Sequence, residues 1–132
     1  MDVTVSQEQG RVPVTVLKVV GKTDSASSDE FLSKVMGIID RGARYLILDL
    51  SGLVYMSSAG LRVLREVFGK LRELSPDESE KEIYAKIRDG SFKSPHLKLL
   101  SPTKDVLEVL KMSGYDMLVS IETDFKKAVA SF

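Results

Sequence analysis

Two adjacent serines at the start of a predicted helix, Ser57 and Ser58, are the residues of this sequence best placed to do chemistry. Ala59 and Gly60 follow them, and such small residues leave the N–H groups of a helix's first turn accessible. The positive end of the helix dipole lies at the same point and favours an anion. A phosphoserine there adds about −1.5 to −2 charges, which would repel carboxylates on a partner. These residues therefore predict a phosphorylation switch that leaves the fold intact.

The same residues also have a purely structural interpretation. Serine is among the preferred N-cap residues, and small residues after it allow close packing. Residue types alone favour capping, so the phosphorylation hypothesis needs support from elsewhere in the chain.

Catalysis has little support in the sequence. The single histidine, His96, precedes a predicted strand and should lie at the end of the sheet opposite Ser58, which argues against a serine–histidine pair. No nucleotide-binding or hydrolase motif of the G-x-G-x-x-G, G-x-x-x-x-G-K-[ST] or G-x-S-x-G type is present. One histidine and no cysteine make a zinc site improbable, and the carboxylates show no magnesium-type cluster. We therefore expect no enzyme activity, no cofactor and no metal.

Length and composition limit the remaining classes. The 132 residues suit one domain, 1–132. Nineteen basic and nineteen acidic residues cancel, so no overall field attracts nucleic acid or anionic lipid. No apolar run approaches the ~20 residues that span a bilayer, and the first ten residues do not resemble a signal peptide. We expect a cytoplasmic domain, which the absence of cysteine suits, with neither membrane insertion nor direct nucleic-acid binding.

The first elements predicted upstream of the serines are a hairpin and a helix. Alternating residues near Val3 and Val5, turn chemistry at Gln9-Gly10 and β-branched residues over 14–20 predict two antiparallel strands. Apolar residues at helical spacing then predict a helix over 27–41. Its expected N-terminal signal is Ser27 with Glu30 in capping-box register, and Gly42 is its expected end.

The serines themselves follow a buried strand. The apolar run Tyr45–Leu50 predicts a central strand, Ser51–Met56 a connector, and the periodic residues after Ser58 a second helix. Further on, we expect a strand at Leu97–Leu100.

A third helix and a last strand and helix complete the prediction. Ser101 as cap with Pro102 as first residue predicts the third helix, which Gly114 ends. Met117–Ile121 predicts a last strand, and Thr123 is the expected cap of a final helix. The order ββαβαβαβα indicates an α/β fold with a mostly parallel sheet, an N-terminal antiparallel hairpin and about four helices.

One segment is longer than its neighbours require. Residues 75–95 separate a helix from the next strand, whereas such connections usually take two to six residues. Capping-box register at Ser75 and Glu78 and a narrow apolar stripe predict an added helix near 76–88. It could pack on the surface or dock a partner, and the sequence favours surface packing.

The segment around the serines resembles a known family. The run Leu48–Leu64, LDLSGLVYMSSAGLRVL, is similar to the signature of the STAS family, which includes the bacterial anti-sigma factor antagonists. Gly21–Asp24 and Lys111–Gly114 also resemble family features, so that the likeness covers the chain outside the insert at about 75–95. The resemblance implies a STAS-like fold.

The resemblance also implies a function and partners. Antagonists of this family bind an anti-sigma factor that is also an ATP-dependent serine kinase, and thereby release a sigma factor for transcription. Phosphorylation of one serine ends the binding, and a PP2C-type phosphatase restores it. STAS domains also serve as scaffold or regulatory subunits of stress-signalling and lipid-transport complexes, which is the alternative function.

Matched residue by residue, the phosphorylated serine of the family falls on Ser58. Many members have aspartate before it and serine after it, whereas this chain has Ser57 and Ala59, so Ser57 is a weaker candidate. Asp24 and Asp49 match acidic positions that the resemblance places near the same face. The predicted partner-binding residues are Asp24, Asp49, Ser57, Ala59, Gly60, Arg62 and Arg65. For both arginines solvated surface charge is the simpler explanation, and for the two aspartates a turn or a strand end serves equally well.

Overall fold

A computed structural model describes residues 1–74 and 80–132 of the chain. Five strands and five α-helices are assigned within these residues. The strands are β1 (Asp2–Gln9), β2 (Pro13–Thr23), β3 (Leu46–Met56), β4 (Leu97–Leu100) and β5 (Ser120–Glu122). The helices are α1 (Ser25–Asp40), α2 (Ser58–Leu74), α3 (Glu80–Asp89), α4 (Lys104–Ser113) and α5 (Phe125–Ala130), with a 3₁₀ turn at Tyr115–Met117.

The strands form one sheet in the order β1-β2-β3-β4-β5. Strand β1 runs antiparallel to β2, and the other neighbours are parallel. In the centre of the sheet Leu48 of β3 lies opposite Leu17 of β2 and Leu99 of β4. The predicted α/β architecture, with its single antiparallel hairpin, is confirmed.

The main core lies on one face of the sheet. Leu17, Leu48 and Leu99 are fully buried there and belong to a cluster with Phe31 of α1 and Val67 of α2. Period-2 strand residues meeting the apolar stripes of helices produce this layer. On the other face a smaller cluster lies with α5 and contains Val14, Val16, Ile47, Leu100, Ala128 and Val129.

Strand β3 is longer than the sequence indicated. The predicted connector Ser51–Met56 is its second half, which pairs with the end of β2 from Val20 opposite Gly52 to Thr23 opposite Met56. Register shifts interrupt this pairing after Lys18 and after Gly21, and such irregularities break the alternation on which strand prediction relies. The prediction of a connector was therefore wrong, and β3 leads almost directly into α2.

Three predicted caps were also wrong. Helix α1 begins at Ser25, two residues before the predicted start, because Asp24 takes the N-cap and forms the capping box with Ser27. For α4 the cap is Thr103 rather than Ser101, whose φ of 49° is not the extended conformation of an N-cap. For α5 the cap is Asp124 rather than Thr123, and its carboxylate accepts from the Lys127 N–H at 3.0 Å.

The end of α4 and the presence of a strand after it were predicted correctly, but the start of that strand was not. Gly114 ends the helix in the left-handed conformation at φ 83°. The next residues, Tyr115–Met117, form a 3₁₀ turn, so β5 starts at Ser120 instead of Met117. A strand signal from apolar residues alone does not distinguish these two structures.

The long connection contains a helix, as predicted. Helix α3 spans Glu80–Asp89 and is followed by Gly90 in the left-handed conformation, while residues 76–79 of the predicted helix lie outside the described residues. Ile83 is buried, and Tyr84 is 56% exposed. Within the described ranges, no helix combines the length and hydropathy required for a transmembrane span.

Candidate functional site

The carboxyl ends of β2 and β3 meet at one edge of the sheet. Thr23, the last residue of β2, lies opposite Met56, the last residue of β3, and each strand is followed within two residues by a helix. The N-termini of α1 and α2 therefore lie side by side. Ligand and partner sites in parallel sheets commonly form at such edges.

Ser57 caps helix α2. Its Oγ accepts a hydrogen bond from the Gly60 N–H at 3.3 Å, and its carbonyl accepts from the Leu61 N–H at 3.1 Å. Its own N–H donates to the Thr23 carbonyl at 3.1 Å, which ties the helix start to β2. The side chain is half-buried and its hydroxyl is already used by the helix.

Ser58 is the first residue of α2 and is exposed. In the described parts of the chain, its hydroxyl has no hydrogen-bond partner, and the N–H groups of Ser58 and Ala59 have no protein acceptor. The site therefore presents an accessible hydroxyl beside two free N–H donors at the positive end of a helix. Such a site can accommodate a phosphate without losing a packing contact.

Gly60 allows the start of α2 to lie against β2. A Cβ at this position would overlap Thr23 Oγ1 and come within 2.9 Å of Met56 Cγ. Thr23 is fully buried and its Cβ would also lie only 3.0 Å away, so rotation of the Thr23 side chain cannot relieve the overlap. The small residue after the serines is thus required by packing, as the structural interpretation of the sequence proposed.

Asp24 holds the start of α1 next to this site. Its carboxylate accepts from the Ser27 N–H at 2.9 Å and from the Ser27 hydroxyl at 3.0 Å, while the Asp24 N–H donates to Ser27 Oγ at 2.9 Å. These hydrogen bonds, led by the one from the Ser27 backbone, lower the pKa of Asp24 below its ordinary value. Asp24 is therefore ionised at neutral pH and adds negative charge close to Ser58.

The two arginines of α2 lie toward different neighbours. Arg62 Nη2 forms an ion pair with Asp29 Oδ1 of α1 at 3.2 Å, and both side chains are largely in solvent. Arg65 lies toward Tyr115, where its charge opposes the rise in the Tyr115 pKa that burial causes. Arg62 stands one helical turn from Ser58 and on the α1 side.

Asp49 lies away from this edge. It is in the first half of β3, opposite Lys18, and its carboxylate accepts from the Ser51 N–H at 3.0 Å. It lies seven positions before Met56, or about 23 Å of strand. The expectation that Asp49 lies at a strand end near the other site residues was therefore wrong about its position.

The histidine lies at the opposite end of the sheet, as expected. His96 is buried just before β4, and its Nδ1 is 2.9 Å from the Arg44 carbonyl oxygen. By strand length it is about 30 Å from Ser58, so the two cannot interact. Nor does any group of three potential metal ligands occur within residues 1–74 and 80–132.

Four residues beside the site were not identified from the sequence. Thr23 anchors Ser57, Asp29 pairs with Arg62, and Val54 and Tyr55 are 65% and 53% exposed just before the serines. In a strand with alternating burial, one of two successive apolar side chains would be buried. Val54 and Tyr55 are both exposed, and this departure from alternation distinguishes them. They extend the accessible surface beside Ser58 with apolar area that a partner could cover.

The model of the STAS domain matches residues 4–75, which include the whole of this edge and more than half of the chain. The chain therefore belongs to the STAS domain family.

Known proteins agree with that assignment. A Bordetella bronchiseptica protein, BtrV, named as a candidate anti-sigma factor antagonist, is 28% identical over 112 residues, covering 85% of this chain and 80% of its own. An anti-sigma factor antagonist from Mycobacterium paratuberculosis superposes with a TM-score of 0.68 at 15% identity and covers 97% of this chain and 92% of its own.

The antagonist SpoIIAA is similar in fold in both of its forms. Unphosphorylated SpoIIAA gives a TM-score of 0.67 at 17% identity, covering 96% of this chain and 93% of its own. Phosphorylated SpoIIAA, described as a Bacillus cell fate determinant, gives 0.59 at 18% identity and covers 96% of both chains. These structural likenesses confirm the predicted STAS-like fold.

Proposed function

We propose that this protein is an anti-sigma factor antagonist whose binding to an anti-sigma factor is switched off by phosphorylation of Ser58. The family, the relative named as a candidate antagonist and the antagonists of the same fold support the general function. The partner would be an anti-sigma factor that is also a serine kinase, and a PP2C-type phosphatase would reverse the modification. The protein itself carries out no catalysis in this scheme.

The observation that carries the proposal is the difference between the two serines. The Ser57 hydroxyl caps α2, whereas the Ser58 hydroxyl is exposed and has no partner in the described residues. A kinase can therefore reach Ser58 without unfolding the helix start. The phosphorylated form of SpoIIAA, a protein of the same fold, supports a role for modification.

Electrostatics explain how the phosphate would act. A phosphate on Ser58 adds about two negative charges to an edge that already carries the ionised Asp24 carboxylate. The helix dipole and the free N–H groups of α2 keep the modified serine compatible with the fold. A partner that approaches Ser58 with carboxylates would then be repelled, and like charges across an interface cost several kcal/mol.

The phosphorylation step can be tested with the anti-sigma factor kinase and ATP. Wild type and Ser57→Ala should each gain one phosphate, and peptide mass spectrometry should place it on residue 58. Ser58→Ala should gain none and should still bind the kinase, while Ser58→Asp should bind more weakly and stay folded. Phosphate on another residue, or on Ser58→Ala, would refute the assignment.

A further inference from the structure

A cleft lies at the opposite end of the sheet from Ser58. It measures 440 Å³ and opens where α1 ends and where β1, β2 and β3 present their other ends, lined among others by Val5, Gln7, Pro13, Ile38, Arg41 and Arg44. Its volume is within the range of about 300 to 1,000 Å³ typical of small-molecule sites. Thr15, which also lines it, is eight residues before Thr23 on β2, so the cleft is about 26 Å from the α2 start.

The charged side chains that line the cleft are all positive. Arg41 and Arg44 both line it, and none of the described lining residues is Asp or Glu. Arg44 Nη1 donates to the carbonyls of Ile39 and Ala43 at 2.9 and 2.8 Å, which fixes the guanidinium in place. Within the described residues, neither the Arg44 Nη2 and Nε groups nor the Arg41 guanidinium has a protein acceptor. The cleft therefore offers two cationic donor groups, of which the Arg44 guanidinium is preorganised and the Arg41 guanidinium is exposed.

Gln7 adds a neutral donor. The Thr15 hydroxyl donates to Gln7 Oε1 at 3.1 Å, which assigns the oxygen of the amide to Thr15. The Gln7 NH₂ group is then left without an acceptor in the described chain. An amide and two guanidinium groups around one cleft match the acceptor oxygens of a carboxylate or a phosphate.

The C-terminal end of α1 does not cancel the preference of the cleft for an anion. The last carbonyls of a helix carry partial negative charge, which would oppose an anion. Here the carbonyls of Ile38 and Ile39 are satisfied by the N–H groups of Arg41, Gly42 and Ala43 and by the Arg44 side chain. The partial negative charge of these carbonyls is compensated by the N–H groups that they accept from. The two arginine side chains therefore remain the dominant charges at the cleft.

We propose that this cleft binds a small organic anion, a phosphate monoester or carboxylate with an apolar body. The anionic group would contact Arg41, Arg44 and the Gln7 amide, and the body would pack on Val5, Pro13 and Ile38. Nothing in the proposal depends on Ser58, so the two hypotheses stand or fall separately.

Phenyl phosphate is a suitable probe, with inorganic phosphate as the anion that lacks the apolar body. In an NMR titration of the ¹⁵N-labelled protein at constant ionic strength, phenyl phosphate should give saturable shifts at residues 7 and 41–45 and bind more tightly than inorganic phosphate. Arg41→Gln and Gln7→Glu should each weaken binding about fivefold or more, since each removes a charge-assisted or donor contact. Arg88→Gln, an exposed arginine on α3, is the matched control and should leave binding unchanged.

Three results would overturn the proposal. These are the absence of saturable shifts with phenyl phosphate, shifts centred on residues 57–60, and dissociation constants that Arg41→Gln and Gln7→Glu leave unchanged. Equal affinity for phenyl phosphate and inorganic phosphate would refute the apolar part. Thermal unfolding checks that the variants fold. If Gln7→Glu does not fold, the binding of Arg41→Gln, which changes an exposed side chain, tests the proposal alone.

Discussion

Replacing each of the two serines by alanine should separate the structural role of one from the proposed switch role of the other. Ser57→Ala removes the cap of α2 and leaves the buried Gly60 N–H without its acceptor. Loss of a serine N-cap costs about 0.5 to 2 kcal/mol. Because the Ser57 Oγ to Gly60 N distance is 3.3 Å, at the long end for a hydrogen bond, we expect about 1 kcal/mol of lost unfolding free energy.

Ser58→Ala should cost almost nothing. The residue is exposed, its hydroxyl has no partner in the described residues, and alanine is favoured in a helix. Exposed substitutions of this kind stay within about 0.5 kcal/mol. By comparison, the loss of about 1 kcal/mol expected for Ser57→Ala corresponds, for a domain of this size, to a fall of about 4 °C in Tm.

Guanidinium denaturation followed by circular dichroism measures both values. The two variants differ by the same chemical change at adjacent positions, so each is the control for the other. The reasoning is refuted if Ser58→Ala loses as much unfolding free energy as Ser57→Ala, or if Ser57→Ala loses none.

Three further predictions concern the neighbours of the serines. Asp24→Asn should destabilise the protein at neutral pH and lose that effect in acid. Because the pKa of Asp24 is lowered in the folded state, its stabilisation is present above the unfolded-state pKa and disappears as the pH falls through the folded-state pKa. Denaturation at several pH values measures this, and a loss of unfolding free energy that is the same at every pH would contradict it. Gly60→Ala should cost about 1 to 3 kcal/mol through overlap with β2, and an unchanged denaturation midpoint would contradict that. Arg62→Gln and Asp29→Asn should show a coupling below about 1 kcal/mol in a double-mutant cycle, and a larger coupling would mean the exposed pair is misjudged.

The sequence predicted the fold where its signals are periodic. The hairpin, the central apolar strand at Leu46 and the helix after Ser58 follow from alternating or helical spacing, and the structure confirms them. Caps were less predictable because several residues offered the same chemistry. Ser27 with Glu30 and Asp24 with Ser27 have equal spacing, and only the point where β2 ends selects Asp24.

The site was predictable in kind but not in arrangement. The types of Ser57, Ser58 and Gly60 indicated a helix start, yet which hydroxyl serves as the cap depends on the contact of Ser57 with Thr23, a residue 34 positions away. The irregular pairing of β2 and β3 hid the second half of β3, and this placed Asp49 wrongly near the site. Long-range contacts of this kind leave no local pattern in the sequence.

Calorimetric titration of the anti-sigma factor with three forms of this protein tests the switch most directly: unmodified, phosphorylated on Ser58, and phosphorylated then treated with a PP2C-type phosphatase. The account predicts that the phosphate weakens binding by about a hundredfold or more, as like charges across an interface would require, and that the phosphatase restores it. Equal affinity of the unmodified and phosphorylated forms would contradict it.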